Sequence, residues 1–172
     1  MARYLLISLF VFFIFANSNG LVFAESSYVL PYPSFMPGNK LYIISEIKDK
    51  LSKYFYFGDF GKFKYNLSQA DKYLVEAKTL FEYKQYLLGY KSLQKSNEYF
   101  TNIKSNLVNA KNSGKNIEDK EKNLTEASFK HVEVLEKMKE DVPETFEWIP
   151  EKASPTTLYL KKQIEDAIEI RH

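Results

Sequence analysis

Residues 28–51 read YVLPYPSFMPGNKLYIISEIKDKL, an extended segment followed by an amphipathic helix. Proline fixes φ near −65° and disfavours helical geometry in the residue before it, so the prolines of residues 28–37 predict an extended lead-in. Pro37-Gly38 fits the central positions of a type II turn, and Asn39 behind it is a candidate helix N-cap. The turn therefore predicts where the lead-in ends and the first helix begins.

From residue 41 onward, apolar side chains recur every three or four positions. This spacing places them on one stripe of a helix, and the stripe is expected to pack against the rest of the protein. Glu46 and Lys50 are expected to pair with each other on the opposite, solvated face. The stripe consists of Leu41, Ile44, Ile47, Leu51 and Phe55.

The same apolar spacing predicts later helices at about 62–83, 86–112 and 117–140, and a short one that begins at Ser154-Pro155. A single helix over 62–112 would be about 76 Å long, so a turn is expected between residues 83 and 86. Residues 143–153 are expected to be irregular. The predicted fold class is all-α: an antiparallel bundle of about four long helices with a short C-terminal helix and an extended proline-rich lead-in. Leu74, Leu107 and Leu135 are expected to point into its core.

The N-terminal residues 1–24 have the parts of a secretory signal. Arg3 precedes the apolar segment YLLISLFVFFIFA of residues 4–16, and Val22-Phe23-Ala24 places small residues before a cleavage site after Ala24. The expected organisation is a signal peptide over 1–24, the lead-in over 25–40 and one helical-bundle domain over 41–172. The exported protein would be extracytoplasmic or at the cell surface. The one expected membrane contact is this N-terminal segment, should it stay uncleaved.

Composition excludes several function classes. Against 24 Lys+Arg the chain has 22 Asp+Glu, and both signs are interspersed, so the sequence lacks the basic stripe that nucleic-acid binding needs. The absence of cysteine excludes disulfides, thiolate zinc sites and a cysteine nucleophile. The sequence also contains no phosphate-binding glycine loop, nucleophile elbow or HExxH motif. We therefore expect no catalytic residues, no metal and no cofactor.

Residues 54–63 read YFYFGDFGKF, and their aromatics surround two glycines. The glycines indicate a turn between helices. The aromatic side chains have two interpretations: they cover the open end of the bundle, or they form a platform for a saccharide or small ligand. Tyr56, Phe57 and Phe60 are the candidate contacts under the second interpretation.

His131 is the candidate for chemistry, because the other histidine is the last residue. Its helical neighbours at i±3 and i±4 are Ala127, Ser128, Val134 and Leu135, which lack metal-ligating groups. The favoured interpretation is a histidine packed in a helix seam that hydrogen-bonds a backbone or hydroxyl group, with Ser128 as the nearest candidate partner. The alternatives are a ligand contact and, more remotely, the catalyst of a hydrolase.

Three groups of residues resemble a bacterial domain of unknown function, family 5667. The first group is Leu30-Pro31-Tyr32-Pro33, Pro37-Gly38, Leu41-Tyr42 and Lys48-Asp49-Lys50; the later ones are Ala70-Asp71-Lys72-Tyr73-Leu74 with Glu76-Ala77, and His131-Val132-Glu133-Val134-Leu135 with Val142-Pro143. The resemblance spans about residues 28–143, and Ser45 departs from it where a lysine is expected. It implies an exported, helical, often surface-associated domain with no assigned activity or catalytic residue.

These observations favour a non-catalytic function. We expect an exported helical scaffold or protein-interaction module at the bacterial cell envelope, with a protein partner bound along an apolar groove between helices. The alternative is an envelope binding protein for a saccharide or small ligand that uses the aromatic cluster of residues 54–63.

Overall fold

The computed structural model describes residues 27–172, which form five α-helices and a two-stranded antiparallel sheet. In chain order the elements are α1 (Tyr42–Ser52), α2 (Gly58–Glu82), α3 (Tyr86–Asn112), α4 (Glu118–Asp141), β1 (Thr145–Trp148), β2 (Thr156–Tyr159) and α5 (Leu160–Arg171). This confirms the predicted helical bundle with a short C-terminal helix. The predicted signal over 1–24 and its cleavage site lie outside the described residues.

The Pro37-Gly38 turn forms as the sequence predicts. The Asn39 N–H donates to the Met36 carbonyl at 3.1 Å, and Gly38 adopts a φ of +96°, which a type II turn requires at that position. The Asn39 side chain then accepts a hydrogen bond from the Leu41 N–H at 2.9 Å. This closes the turn just before α1.

Helices α2 and α3 form the central hairpin of the bundle, separated by a short turn at the predicted place. The Lys84 N–H donates to the Phe81 carbonyl at 2.9 Å, and the Gln85 N–H donates to the Leu80 carbonyl at 2.8 Å. This is a Schellman motif, and it requires a left-handed residue at Lys84, where φ is +58°. The motif recurs after α3, where Gly114 occupies the same position with a φ of +74°.

Replacing Lys84 by Gly is expected to stabilise the protein by about 0.5 kcal/mol. A left-handed conformation destabilises a non-glycine residue in the folded protein by about 1–2 kcal/mol, and glycine removes this penalty. The greater conformational freedom of glycine in the unfolded chain offsets about 0.5–1 kcal/mol of the gain. Urea unfolding of the Lys84→Gly variant measures the difference. Gly114→Ala is the matched control and should lose stability, whereas a loss in Lys84→Gly would contradict the left-handed turn.

The apolar core divides into two clusters along the α2/α3 hairpin. The cluster near the turn contains Leu74, Leu93, Leu135, Leu160 and Ile164. The cluster toward the open end contains Phe63, Leu67, Phe100, Ile103 and Leu107. Leu74, Leu107 and Leu135 are all buried, so the predicted inward stripes of α2, α3 and α4 are confirmed.

The chain after α4 differs from the prediction. Residues 145–148 were expected to be irregular, and Ser154-Pro155 was expected to begin the last helix; both expectations are wrong. Thr145–Trp148 pairs with Thr156–Tyr159 in an antiparallel hairpin, in which Phe146 lies opposite the buried Leu158. Threonine and aromatic residues favour strands, and this preference overrides the helix-start signal of Ser-Pro. The last helix begins only at Leu160.

The junction between α1 and α2 agrees with the prediction only in part. The glycines of residues 54–63 were expected to form the turn, and Gly58 does so with a left-handed φ of +67° at the first residue of α2, directly after the extended backbone of Phe57. Gly61, in contrast, lies inside α2. A Cβ on Gly61 would lie 2.8 Å from the Tyr56 carbonyl carbon, so this glycine lets the preceding chain pack closely against α2.

Candidate functional site

Helix α1 contacts the α2/α3 hairpin through its polar side. The Tyr42 hydroxyl donates to Glu76 Oε1 at 3.1 Å, and the Ser92 hydroxyl donates to the same oxygen at 2.6 Å. Glu76 is a buried carboxyl group on α2, and its Oε2 makes no hydrogen bond within residues 27–172. Burial raises the pKa of Glu76, while the two hydroxyl donors act in the opposite direction. The hydrogen bond from Tyr42 to this buried acid therefore helps to hold α1 against the hairpin.

Two ion pairs extend this contact along α1. Lys72 Nζ donates to the Asp49 carboxylate and, at 3.2 Å, to Ser45 Oγ. Lys95 Nζ donates to Glu46 Oε1 at 2.9 Å. The expected solvated pair Glu46–Lys50 is therefore wrong, because Glu46 instead joins α1 to α3 through Lys95. Partly buried charges need opposite charges nearby, and α1 supplies them.

The apolar side of α1 faces away from the bundle. We call Ile43, Ile44, Ile47 and Leu51 the outward face of α1; these side chains are 63%, 62%, 52% and 56% exposed, and no residue of the helix is buried. The prediction that this stripe packs against the rest of the protein is wrong. The acids and hydroxyls of the helix make the contacts that Glu76, Lys72 and Lys95 require, so the aliphatic side chains are left in water.

The outward face continues into exposed aromatic residues at the C-terminal end of α1. Tyr54, Phe55 and Phe57 are more than two-thirds exposed, and Leu41 is exposed at the other end of the helix. Scattered exposed apolar residues are normal in soluble proteins, but a contiguous apolar surface marks an interaction site. These exposed apolar residues, which are close together in the chain, make this surface the candidate interaction site.

A second unusual feature is a buried polar layer between the two core clusters. The Asp71 carboxylate accepts from the Tyr28 hydroxyl at 2.7 Å and lies 2.7 Å from His131 Nε2. Arg171 Nε donates to His131 Nδ1 at 3.0 Å, and its terminal nitrogens donate to Asn97 Oδ1 and Ser96 Oγ at 2.8 Å. The layer therefore joins the lead-in, α2, α3, α4 and α5.

The Arg171 contact determines the protonation of His131. Because the guanidinium can only donate, Nδ1 accepts, and the ring hydrogen lies on Nε2, which donates to Asp71. Burial lowers the pKa of His131 and the Arg171 charge adds to this, whereas Asp71 acts in the opposite direction. Burial also lowers the pKa of Arg171 while Asp71 raises it. The layer thus contains a neutral imidazole between a cation and an anion.

His131 is fully buried, and both ring nitrogens are engaged. The expectation of a histidine packed in a helix seam agrees with this position, but its partners are Asp71 and Arg171 rather than Ser128. Within this geometry the imidazole can exchange a proton with the layer only. Across residues 27–172, no group of three or more His, Cys, Asp or Glu side chains is placed to hold a metal ion.

The three aromatic candidates, Tyr56, Phe57 and Phe60, lie in three different environments. Phe57 is 81% exposed, and Phe60 packs against the open-end cluster beneath Lys115, whose Nζ lies 5.4 Å from the ring centre. Tyr56 packs against Tyr65 with ring centroids 5.6 Å apart. The three side chains do not converge on one pocket.

Tyr56 and Tyr65 line a shallow cleft of about 270 Å³. Its other walls are polar: Lys53, Lys62, Asn66, Asn102, Ser105 and Asn106. Small-molecule sites are typically about 300–1,000 Å³, so this cleft is at the small end. A tyrosine pair beside amide side chains could accept a polar ring such as a sugar.

A family model described as "Domain of unknown function (DUF5667)" matches residues 34–145, well over half of the 172-residue chain. The chain belongs to the DUF5667 family. No curated protein and no solved structure matches it. Within the described part of this DUF5667 chain, no helix is both long and apolar enough to span a bilayer.

The DUF5667 match includes all of α1, and therefore the whole outward face. It includes Asp71 and His131 but not Tyr28 or Arg171, which complete the polar layer from either end of the described chain. Sequence reasoning missed Asp71 and Arg171. A signal was present, since Asp71 is four residues after Leu67 and three before Leu74, which places a carboxylate on the buried stripe of α2.

Proposed function

We propose that this DUF5667 chain is a non-catalytic, exported helical module that acts at the bacterial cell envelope by binding another envelope component through the outward face of α1. The exposure of four aliphatic side chains on one helix carries the proposal.

The free energy available at this face is appreciable. Fully burying an aliphatic side chain is worth about 1.5–3 kcal/mol, and the four side chains are each more than half exposed. Covering them would therefore contribute about 4 kcal/mol before the costs of association. This face favours binding over chemistry, because the polar groups of α1 are used in contacts with α2 and α3.

Affinity capture from the host's own envelope tests the proposal. Wild-type chain is compared with the Ile44→Gln/Ile47→Gln variant and with Phe129→Gln, a matched control on α4 in which an equally exposed apolar residue is changed. We expect wild type and control to retain an envelope component that the α1 variant loses. Equal capture by all three proteins, or by none, would contradict the proposal.

The second candidate function is saccharide or small-ligand binding in the cleft lined by Tyr56 and Tyr65. The tyrosine pair beside three asparagines is the observation that favours it. Titration with soluble envelope glycans, followed by NMR, should shift cleft resonances, and Tyr56→Ala should abolish the shifts while Phe57→Ala leaves them intact. Equal effects of the two substitutions would argue against this cleft.

A further inference from the structure

We infer that the outward face of α1 docks on an anionic lipid surface, with its aliphatic side chains in the acyl boundary and the flanking lysines at the headgroups. The inference rests on the proposed function and names the partner of that same face. It differs from the expected membrane contact, which was confined to the N-terminal segment.

The acidic and basic side chains of α1 lie on different sides of the helix. Glu46 and Asp49 turn toward the bundle, where Lys95 and Lys72 neutralise them. Lys48 and Lys50 are exposed instead. The helix therefore presents only positive charge beside its apolar face, although its sequence contains both signs.

Helical spacing places one lysine on each edge of the outward face. Lys48 follows Ile44 by four residues and precedes Leu51 by three, whereas Lys50 follows Ile47 by three on the other side. Lysine stems can lie along an apolar surface while the ammonium group reaches the polar boundary. An apolar helical face bordered by lysines is the pattern of helices that lie in a membrane interface.

The exposed residues at the ends of α1 extend the same pattern. Lys40 and Lys53 are exposed before and after the helix, and Tyr54, Phe55 and Phe57 follow as exposed aromatics. The surface is carried by α1 and by the short 3-10 helix Lys53–Phe55 that follows it. A protein groove would need acidic groups on both rims to match these lysines, whereas an anionic bilayer offers negative charge on every side.

Site-specific labelling tests the inference in the full-length chain. Because the sequence has no cysteine, Ile47→Cys or Phe129→Cys each gives one attachment site for an environment-sensitive fluorophore. The probes are phosphatidylcholine vesicles with and without phosphatidylglycerol. We expect the label at residue 47 to move into an apolar environment on the anionic vesicles, while the label at residue 129 remains in water.

Charge variants then test the role of the lysines. Lys48→Gln/Lys50→Gln should lower the apparent affinity for anionic vesicles, measured with the label at residue 47, by about tenfold or more. Each lysine near an anionic surface contributes to binding. Lys122→Gln/Lys137→Gln on α4 removes the same charge from exposed positions and should change it little.

The outcomes separate this inference from the proposed function. A label at residue 47 that stays in water on anionic vesicles would overturn the lipid assignment, and the proposed function would stand if envelope capture still yields a protein. Equal immersion on neutral vesicles, with no effect of the lysine variant, would overturn the assignment to an anionic surface. If the label at residue 47 enters an apolar environment without vesicles, and does so more as the protein concentration rises, the face binds a second copy of the chain and the lipid assignment is overturned.

Discussion

Replacing Asp71 by Asn is expected to lower the free energy of unfolding by about 3 kcal/mol. The carboxylate accepts hydrogen bonds from Tyr28 and His131, and its charge offsets the buried Arg171 guanidinium. Asparagine keeps the shape but removes the charge, and it offers one acceptor oxygen where two donors converge. Removing one member of a buried charge pair typically costs about 3–5 kcal/mol, because the other charge is left uncompensated.

Urea unfolding followed by circular dichroism measures this difference. Asp141→Asn is the matched control, since it makes the same chemical change at an exposed position and should alter stability by no more than about 0.5 kcal/mol. A loss below about 1 kcal/mol in Asp71→Asn would show that the polar layer does not hold the bundle together.

Stability is also expected to fall as the pH decreases below 6.5, with His131 as a principal cause. The pKa of His131 in the folded protein lies below its ordinary value of 6.5, so the unfolded chain binds the proton more readily. The contribution of His131 is therefore fully present above pH 6.5 and is lost as the pH falls toward the folded-state pKa. One proton gives a maximal slope of about 1.4 kcal/mol per pH unit.

The contributions of other titrating groups cancel when the wild-type protein is compared with a variant that lacks His131. Glu76 acts in the opposite direction. Because its pKa is raised in the folded protein, its contribution to stability is present below its ordinary pKa of 4.5 and is lost as the pH rises above that value. His131→Gln lacks the titrating imidazole but keeps Glu76. We expect the difference in unfolding free energy between the two proteins to shrink as the pH falls from 7 to 5.5. A difference that stays constant would contradict a buried neutral imidazole.

The helices of the bundle could be predicted from the sequence because their apolar stripes face one another. The spacing of Leu74, Leu107 and Leu135 predicts inward positions, and all three are buried. The turn between α2 and α3 was predicted from length alone, since a lysine occupies the left-handed position where glycine would be expected. Periodicity was therefore sufficient wherever burial of apolar surface decides the packing.

Periodicity failed for α1, where hydrogen bonds and ion pairs to α2 and α3 decide the packing. The stripe through Ile44 and Ile47 has the same spacing as the buried stripes, so the sequence gives no sign that it faces water. The polar side of α1 faces the bundle because it pairs with the buried Glu76 and with Lys72 and Lys95, and these contacts can form only after α2 and α3 pack. The candidate interaction site follows from contacts that are distant in sequence.

The polar layer was unpredictable for a related reason. Its members come from positions 28, 71, 96, 97, 131 and 171, and nothing local to His131 indicates its partners. The sequence placed His131 in a seam correctly, but its neighbours at i±3 and i±4 suggested only Ser128. Tertiary packing supplies Asp71 and Arg171 from α2 and α5.

The unfolding free energy of the Ile44→Gln/Ile47→Gln variant tests the orientation of α1 most directly. Because both side chains face water and glutamine is a good helix former, the structure predicts a value within about 1 kcal/mol of wild type. Leu135→Gln, at a fully buried position, should instead lose at least about 3 kcal/mol. A loss in the double variant as large as that of Leu135→Gln would show that the apolar stripe of α1 is buried, and would contradict the outward face on which the proposed function depends.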